Sequence, residues 1–109
     1  MIKVTIKRND QHAIDSFTIT GHANFAKRGS DIVCAGVSAV SYGAVNSIIK
    51  LLSFTPDIEQ GAEGGFLRCT IPSDIEEAVQ EKVQLLLEGM VVSLETIERD
   101  YGNYITISK

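Results

Sequence analysis

The residues from Ala35 to Leu52 are almost free of charge, and this limits what the chain can fold into. Lys50 is the only side chain in this stretch that is charged at neutral pH. Apolar residues recur at steps of three and four, the spacing of one face of an α-helix. The predicted apolar stripe consists of Val33, Val37, Val40, Ala44, Ile48 and Leu51. Because its other faces also carry so little charge, we expect this helix to be covered on more than one side, and a homodimer would supply such cover.

Segments with an alternating apolar and polar pattern surround this helix and indicate strands. Such segments are found at 2–8, 14–20, 57–60, 66–71 and 104–107. Turn residues separate the first two, and a glycine-rich turn separates the next two, so each pair predicts an antiparallel hairpin.

A second helical pattern covers residues 74–98, where Ser73 and Glu76 have the spacing of a capping box. Its predicted buried stripe consists of Ile75, Val79, Val83, Leu86, Met90 and Leu94. The resulting order, ββαββαβ, predicts an α+β fold with a mostly antiparallel sheet and two packed helices. A length of 109 residues fits one domain over 1–109.

Composition and charge narrow the classes of function. A net charge of −4 argues against coating a phosphate backbone, and hence against direct nucleic-acid binding, but it would attract a basic peptide. The N-terminus lacks the apolar core of a signal peptide. The sequence also lacks a run of about 18 apolar residues, so no membrane span is expected. We therefore expect a cytoplasmic protein without a membrane partner.

The two cysteines differ in their sequence context. Cys69 lies in an apolar strand pattern, which is typical of a small buried hydrophobic side chain. Neither cysteine belongs to a CxxC pair and the chain has only two histidines, so no structural zinc site is expected.

Cys34 has the position of a catalytic nucleophile. If Asp31 is the N-cap of the first helix, Cys34 is its third residue, where the helix dipole and backbone N–H groups favour a thiolate. The same N–H groups could hold an oxyanion. His22 precedes it across a loop at 21–31 bounded by glycines, and could act as general base and acid. Asp31 and Ser38 are candidate auxiliaries. Ser38 lies one turn after Cys34 on the same helix face, and Asp31 could orient the imidazole of His22.

Structural roles explain the same four residues equally simply. Cys34 could be a core thiol, His22 a polar residue at a strand end, and Asp31 only an N-cap. The hydroxyl of Ser38 could bond back to its own helix. Spacing alone leaves the catalytic and the structural interpretations open.

The motif residues resemble those of a known family. Residues 21–23, GHA, and residues 29–38, GSDIVCAGVS, are similar to the signature of the ribosomal-processing cysteine protease Prp family. The chain is also similar to this family in length and element order, and every motif position matches.

The resemblance implies a cysteine endopeptidase with a dyad of Cys34 and His22. It also implies a homodimer without a cofactor, whose substrate is the basic N-terminal extension of a large-subunit ribosomal protein, removed through an acyl-enzyme. Asp31 and Ser38 match recurrent motif positions. The alternative is a non-catalytic dimeric module associated with the ribosome. A thiol redox protein is disfavoured because no resolving cysteine lies near Cys34 in the sequence.

Overall fold

Five strands form one sheet in the computed structural model, which describes residues 1–27 and 30–109. The elements are β1 (Ile2–Arg8), β2 (Ile14–Thr20), α1 (Ile32–Leu52), β3 (Asp57–Gln60), β4 (Phe66–Thr70), α2 (Glu77–Tyr101) and β5 (Ile105–Ser108). The predicted order ββαββαβ is confirmed, and so is the α+β class.

The strands lie in the order β3-β4-β2-β1-β5. The β1–β2, β2–β4 and β3–β4 pairs are antiparallel, whereas β1 and β5 are parallel. A parallel pair needs a long crossover between its strands, and α2 carries the chain from β4 across the sheet to β5. The sheet is therefore mixed, with one parallel pair at the β5 edge.

One face of the sheet carries the core. In β1, Ile2, Val4 and Ile6 are buried. They alternate along the strand with Lys3, Thr5 and Lys7, which are exposed. Both helices cover the apolar face and contact each other, and the opposite face is left to solvent.

Helix α1 begins after Asp31, as predicted, but its buried stripe differs from the expected one. The buried residues are Val33, Val37, Ser41, Val45 and Ile48. Leu51 is 68% exposed, so its assignment to the core was wrong, and Val40 and Ala44 lie at the edge of the core. The small hydroxyl of Ser41 is tolerated in the core because it donates a hydrogen bond of 2.7 Å to the carbonyl of Val37.

Helix α2 begins at Glu77, three residues later than predicted. The capping-box prediction was wrong, because residues 73–75 form a turn and Glu76 is the N-cap. The Glu76 side chain makes no capping hydrogen bond with the described residues. Leu87, rather than Leu86, belongs to the fully buried stripe, with Val83, Met90, Val91 and Leu94.

Two polar contacts attach α2 to the first hairpin. The side-chain amide of Gln84 accepts from the backbone N–H of Ile14 at 2.7 Å and donates to its carbonyl at 2.9 Å. Arg8 at the end of β1 forms a two-point ion pair with Glu88, with distances of 2.6 and 2.8 Å. The register of α2 on the sheet is therefore set by hydrogen bonds as well as by apolar packing.

Helix α1 also matches the length and hydropathy of a membrane span, with a mean hydropathy of 1.7. The match does not contradict the expectation that the chain has no membrane span, which rested on the lack of an unbroken run of about 18 apolar residues. A core helix of a soluble domain meets the same criterion, and five α1 side chains are buried in the core here. This likeness is therefore weak evidence for a membrane segment.

We predict that Gln84→Ala destabilises the fold by about 2 kcal/mol, because it leaves both backbone groups of buried Ile14 without their partner. Urea unfolding of the two proteins measures the difference. Glu81→Ala is the matched control in the same helix, since Glu81 is exposed, and its effect should stay within about 0.5 kcal/mol. Equal effects of the two substitutions would show that the amide contacts add nothing.

Candidate active site

A cavity of about 400 Å³ opens at the end of the sheet where β2 ends, β4 begins and α1 begins. All four residues proposed from the sequence line it: His22, Asp31, Cys34 and Ser38. Apolar side chains form much of the remaining wall, including Ile2, Ile19, Val37, Phe66 and Leu67. The fold thus brings together residues that come from a loop and from the first two turns of a helix.

Cys34 is the third residue of α1, and its side chain is partly exposed. Its sulfur accepts a hydrogen bond of 3.3 Å from the backbone N–H of Ala23. Its own N–H donates to Asp31, as does that of Val33. These two helical N–H groups, expected to be available to an oxyanion, are therefore already bonded in this conformation.

Asp31 is the N-cap of α1, and it also holds the loop before the helix. Its Oδ1 accepts from the N–H groups of Val33 and Cys34, both at 3.0 Å. Its Oδ2 accepts from the N–H groups of Phe25 and Ala26, at 2.9 and 3.2 Å. None of the bonds described for this carboxylate reaches the imidazole, so the structure gives it an anchoring position instead of the expected contact with His22.

The hydrogen bonds of Asp31 also determine its protonation. Burial alone would raise the pKa of this carboxyl, but the hydrogen bonds from the N–H groups of Cys34, Ala26, Phe25 and Val33 outweigh that effect. The pKa of Asp31 is consequently lower than its ordinary value of 3.8. The anchor is therefore a carboxylate at neutral pH.

His22 follows Gly21, which is the first residue after the end of β2. Gly21 has a φ of +90°, and a Cβ there would overlap the carbonyl oxygen of Met1, so a side chain is excluded twice. The imidazole is half-buried and lies against Gly65, at the start of β4. No hydrogen bond described in residues 1–27 and 30–109 joins His22 to the sulfur of Cys34.

Gly65 is a site residue that the sequence reasoning missed, since the turn at 61–65 was assigned only to a hairpin. Its carbonyl accepts a hydrogen bond of 2.8 Å from the N–H of Gly21, which brings the second hairpin next to His22. The paired glycines at 64 and 65 were a visible signal, but their contact with the histidine depends on the pairing of β2 with β4.

Ser38 is exposed and lies one turn after Cys34 on the cavity wall. Its hydroxyl is therefore accessible from the cavity. The ring of Tyr42 follows one turn later on the same wall, and its hydroxyl lies 3.3 Å from Oε1 of Gln60 in β3. The β3–β4 hairpin thus contacts α1 across the cavity.

Besides the hydrogen bonds of Gly21 and Ala23, contacts of Asp31 and Phe25 hold the loop between β2 and α1. Asp31 binds its backbone, and the ring of Phe25 packs edge-on against Tyr101 and Tyr104, with centroid distances of 5.8 and 5.1 Å. The expectation that the two glycines of this loop let it open for substrate and close again involves Gly29, which lies outside the described residues.

Cys69 is fully buried in β4, and burial raises the pKa of its thiol to about 11. It is therefore a core side chain, as predicted. The part of the chain that the structure describes contains no cluster of three or more His, Cys, Asp or Glu side chains able to hold a metal ion.

We predict that the stability supplied by Asp31 depends on pH. Because its pKa is lowered in the folded state, its contribution is fully present above the unfolded value near 3.8 and is lost as the pH falls through the folded value. Asp31→Asn should therefore lower the thermal midpoint by several degrees at neutral pH, and this difference should shrink in acid. Thermal unfolding between about pH 3 and pH 7 measures it.

Asp74→Asn provides the control for this measurement, because Asp74 is exposed and lies away from the loop, in the turn before α2. It should change the midpoint little at any pH. A difference between wild type and Asp31→Asn that stays constant across the whole range would contradict the assigned role of the carboxylate.

Comparison with known proteins assigns the chain to a protein family. The family model described as cysteine protease Prp matches residues 1–106. The ribosomal processing cysteine protease Prp of Bacillus subtilis is 49% identical over 108 residues, which cover 99% of this chain and 96% of the relative. The protein of the same name from Staphylococcus aureus strain Mu50 is 41% identical over 109 residues, covering 99% and 98%.

Solved structures agree in fold. The S. aureus ribosomal processing protease Prp with a covalently linked product peptide superposes with a TM-score of 0.90 at 40% identity, covering 99% of this chain and 98% of the other. The same protease with a substrate peptide gives a TM-score of 0.83 at 39% identity, with the same coverage. Since sequence and fold match over nearly the whole length, the chain belongs to the cysteine protease Prp family and is a cysteine-type peptidase.

Proposed function

We propose that this protein is an endopeptidase that removes the N-terminal extension of a large-subunit ribosomal protein, with Cys34 as nucleophile and His22 as general base and acid. The observation that carries the proposal is the contrast between the two thiols. Cys34 is accessible in a cavity that His22 also lines, whereas Cys69 is buried without exposure and its pKa is raised to about 11. A cysteine peptidase needs a thiol that reaches its substrate, and in this chain that thiol is Cys34.

The relatives support the choice of substrate. Those from B. subtilis and S. aureus are named ribosomal processing proteases, and the S. aureus protein has been crystallised with substrate and product peptides. The product peptide in that protein is covalently linked, which is in keeping with covalent catalysis.

The reaction would proceed through an acyl-enzyme. His22 takes the proton of Cys34, and the sulfur attacks the scissile carbonyl carbon. The imidazolium then gives its proton to the departing amine, leaving a thioester. His22 next activates a water molecule, which releases the peptide acid and restores the thiol.

The N–H of Ala23 is the donor that best suits the developing oxyanion. It points at the sulfur from 3.3 Å, whereas the N–H groups of Val33 and Cys34 are bonded to Asp31. When the sulfur bonds to the substrate carbon, the N–H of Ala23 would lie next to the substrate's carbonyl oxygen. It would then donate to the negatively charged oxygen instead of to the sulfur, which is a weak acceptor.

For catalysis, the imidazole of His22 must form a hydrogen bond with the sulfur of Cys34 that the described residues of the free protein do not show. His22 lies against Gly65, and the described bonds do not link it to Cys34. Catalytic hydrogen bonds often tighten only in the complex with substrate. A peptide bound across the 21–31 loop would move the imidazole toward the sulfur.

The cavity suits an extended peptide with apolar side chains near the cleaved bond. Ile2, Ile19, Phe66 and Leu67 supply apolar wall, while Ser38 offers a hydroxyl. The net charge of −4 would favour encounter with the basic extension of a ribosomal protein.

The protein is proposed to act in the cytoplasm as a homodimer without direct contact to nucleic acid. Exposed apolar side chains on the helices, including Ile32 and Leu51 of α1 and Leu85 and Val92 of α2, are surface that a second copy could cover. The acidic net charge supports the absence of a phosphate-binding face.

We predict that Cys34→Ala lowers cleavage of the extended ribosomal precursor by roughly a thousandfold or more, and that His22→Ala lowers it by roughly a hundredfold or more. Mass spectrometry of the products measures the rate. Cys69→Ala is the matched control and should cleave at the wild-type rate per folded molecule, because its thiol lies outside the cavity. Cleavage that survives Cys34→Ala would remove the nucleophile, and binding without cleavage by the wild type would favour the non-catalytic module.

We also predict that iodoacetamide labels Cys34 at least roughly tenfold faster than Cys69 in the folded protein. The reason is that Cys34 is partly exposed, whereas Cys69 is buried and holds its proton. Peptide mapping of the alkylated protein gives both rates, and unfolding in urea should remove the difference. Equal labelling of the two thiols in the folded protein would contradict the assignment.

A further inference from the structure

The glycine at position 65 has no space for a side chain, and the atoms that fill this space belong to His22. A Cβ built on Gly65 would lie 2.7 Å from Nε2 of the imidazole, 3.1 Å from Cε1 and 3.4 Å from Cδ2. A carbon atom at the shortest of these distances would force the ring or the hairpin to shift. The imidazole therefore occupies the volume that any other residue at this position would claim.

The two segments cannot simply separate to make room. The N–H of Gly21 donates to the carbonyl of Gly65 at 2.8 Å, and this bond continues the ladder between β2 and β4. His22 is the next residue after Gly21, so the backbone that carries the imidazole is tied to the backbone that it touches. A side chain at position 65 would have to displace the ring itself.

We propose that Gly65 is a positioning residue for the general base: its bare backbone forms the seat of the His22 imidazole beside the cavity. The inference rests on the proposed role of His22 and extends the catalytic apparatus to the β3–β4 hairpin. Gly65 acts through the imidazole and itself touches no reacting atom.

Backbone conformation offers a competing reason for a glycine here. Gly65 has a φ of +74° and Gly64 a φ of +78°, a region that L-residues seldom adopt. Strain alone would then explain both glycines. The test must therefore separate the strain of the backbone from the space taken by the side chain.

The experiment compares L-alanine with D-alanine at position 65 in the full chain. D-alanine adopts a positive φ without strain and directs its methyl group to the other side of Cα, away from the place of an L-Cβ. Cys34 and Cys69 flank the segment 34–68, so chemical ligation at these two cysteines yields both proteins with their natural thiols. The readouts are kcat and KM for the extended ribosomal precursor and the pH profile of kcat/KM.

We expect L-alanine to lower kcat by roughly tenfold to a hundredfold with a much smaller change in KM, because the displaced imidazole can no longer move from its seat on Gly65 to the sulfur of Cys34. The limb of the pH profile that reports the base should also shift. D-alanine should keep kcat within about threefold of the wild type. Gly61→Ala is the control in the same hairpin, because its methyl group would meet the carbonyl oxygen of Gly64 and Cβ of Phe66, both at 3.2 Å. It should leave the pH profile unchanged.

Three results would overturn the inference: full activity of the L-alanine protein, equal losses with L- and D-alanine, or a loss without any change in the pH profile. If L-alanine at position 65 prevents folding, a folded but inactive D-alanine protein would still refute the proposal that Gly65 positions the imidazole. Failure of the proposed function looks different. In that case the wild type does not cleave the precursor, or His22→Ala cleaves it normally, whatever stands at position 65.

Discussion

The candidate site depends on one carboxylate that binds backbone N–H groups of four described residues. Asp31 joins the start of α1 to the loop that follows His22, because its two oxygens accept from residues on both sides of the turn. This link acts alongside the hydrogen bond from the N–H of Ala23 to the sulfur of Cys34, which joins the same helix to the segment before it. An acid is required because all four partners are donors, and their combined pull keeps the carboxyl ionised against the effect of burial.

The same residue type has two different chemical characters in this chain. Cys69 is enclosed in β4, and loss of solvation holds its proton in place. Cys34 lies in the first turn of a helix, at the edge of a cavity, with a backbone N–H directed at its sulfur. Environment rather than composition therefore separates the buried core thiol from the accessible one, and belonging to a cysteine peptidase family fits that separation.

The free protein holds the imidazole of His22 and the loop beside it by ordinary packing. The imidazole lies on the backbone of the second hairpin, and Phe25 packs the nearby loop against Tyr101 and Tyr104. These contacts are modest and local, so an extended peptide could replace them with its own. If His22 and Cys34 form the proposed dyad, the bound peptide would bring them together.

The sequence by itself determined the order of elements, the N-cap at Asp31, the helical position of Cys34 and the burial of Cys69, because each follows from local periodicity or local hydrogen bonding. The motif residues also identified the family. Local patterns failed where packing decides: Leu51 proved exposed and the start of α2 moved to Glu77. The parallel pairing of β5 with β1 was not predicted from the sequence at all. Only the tertiary structure brought Gly65 against His22, since that contact joins residues distant in sequence through the pairing of β2 with β4.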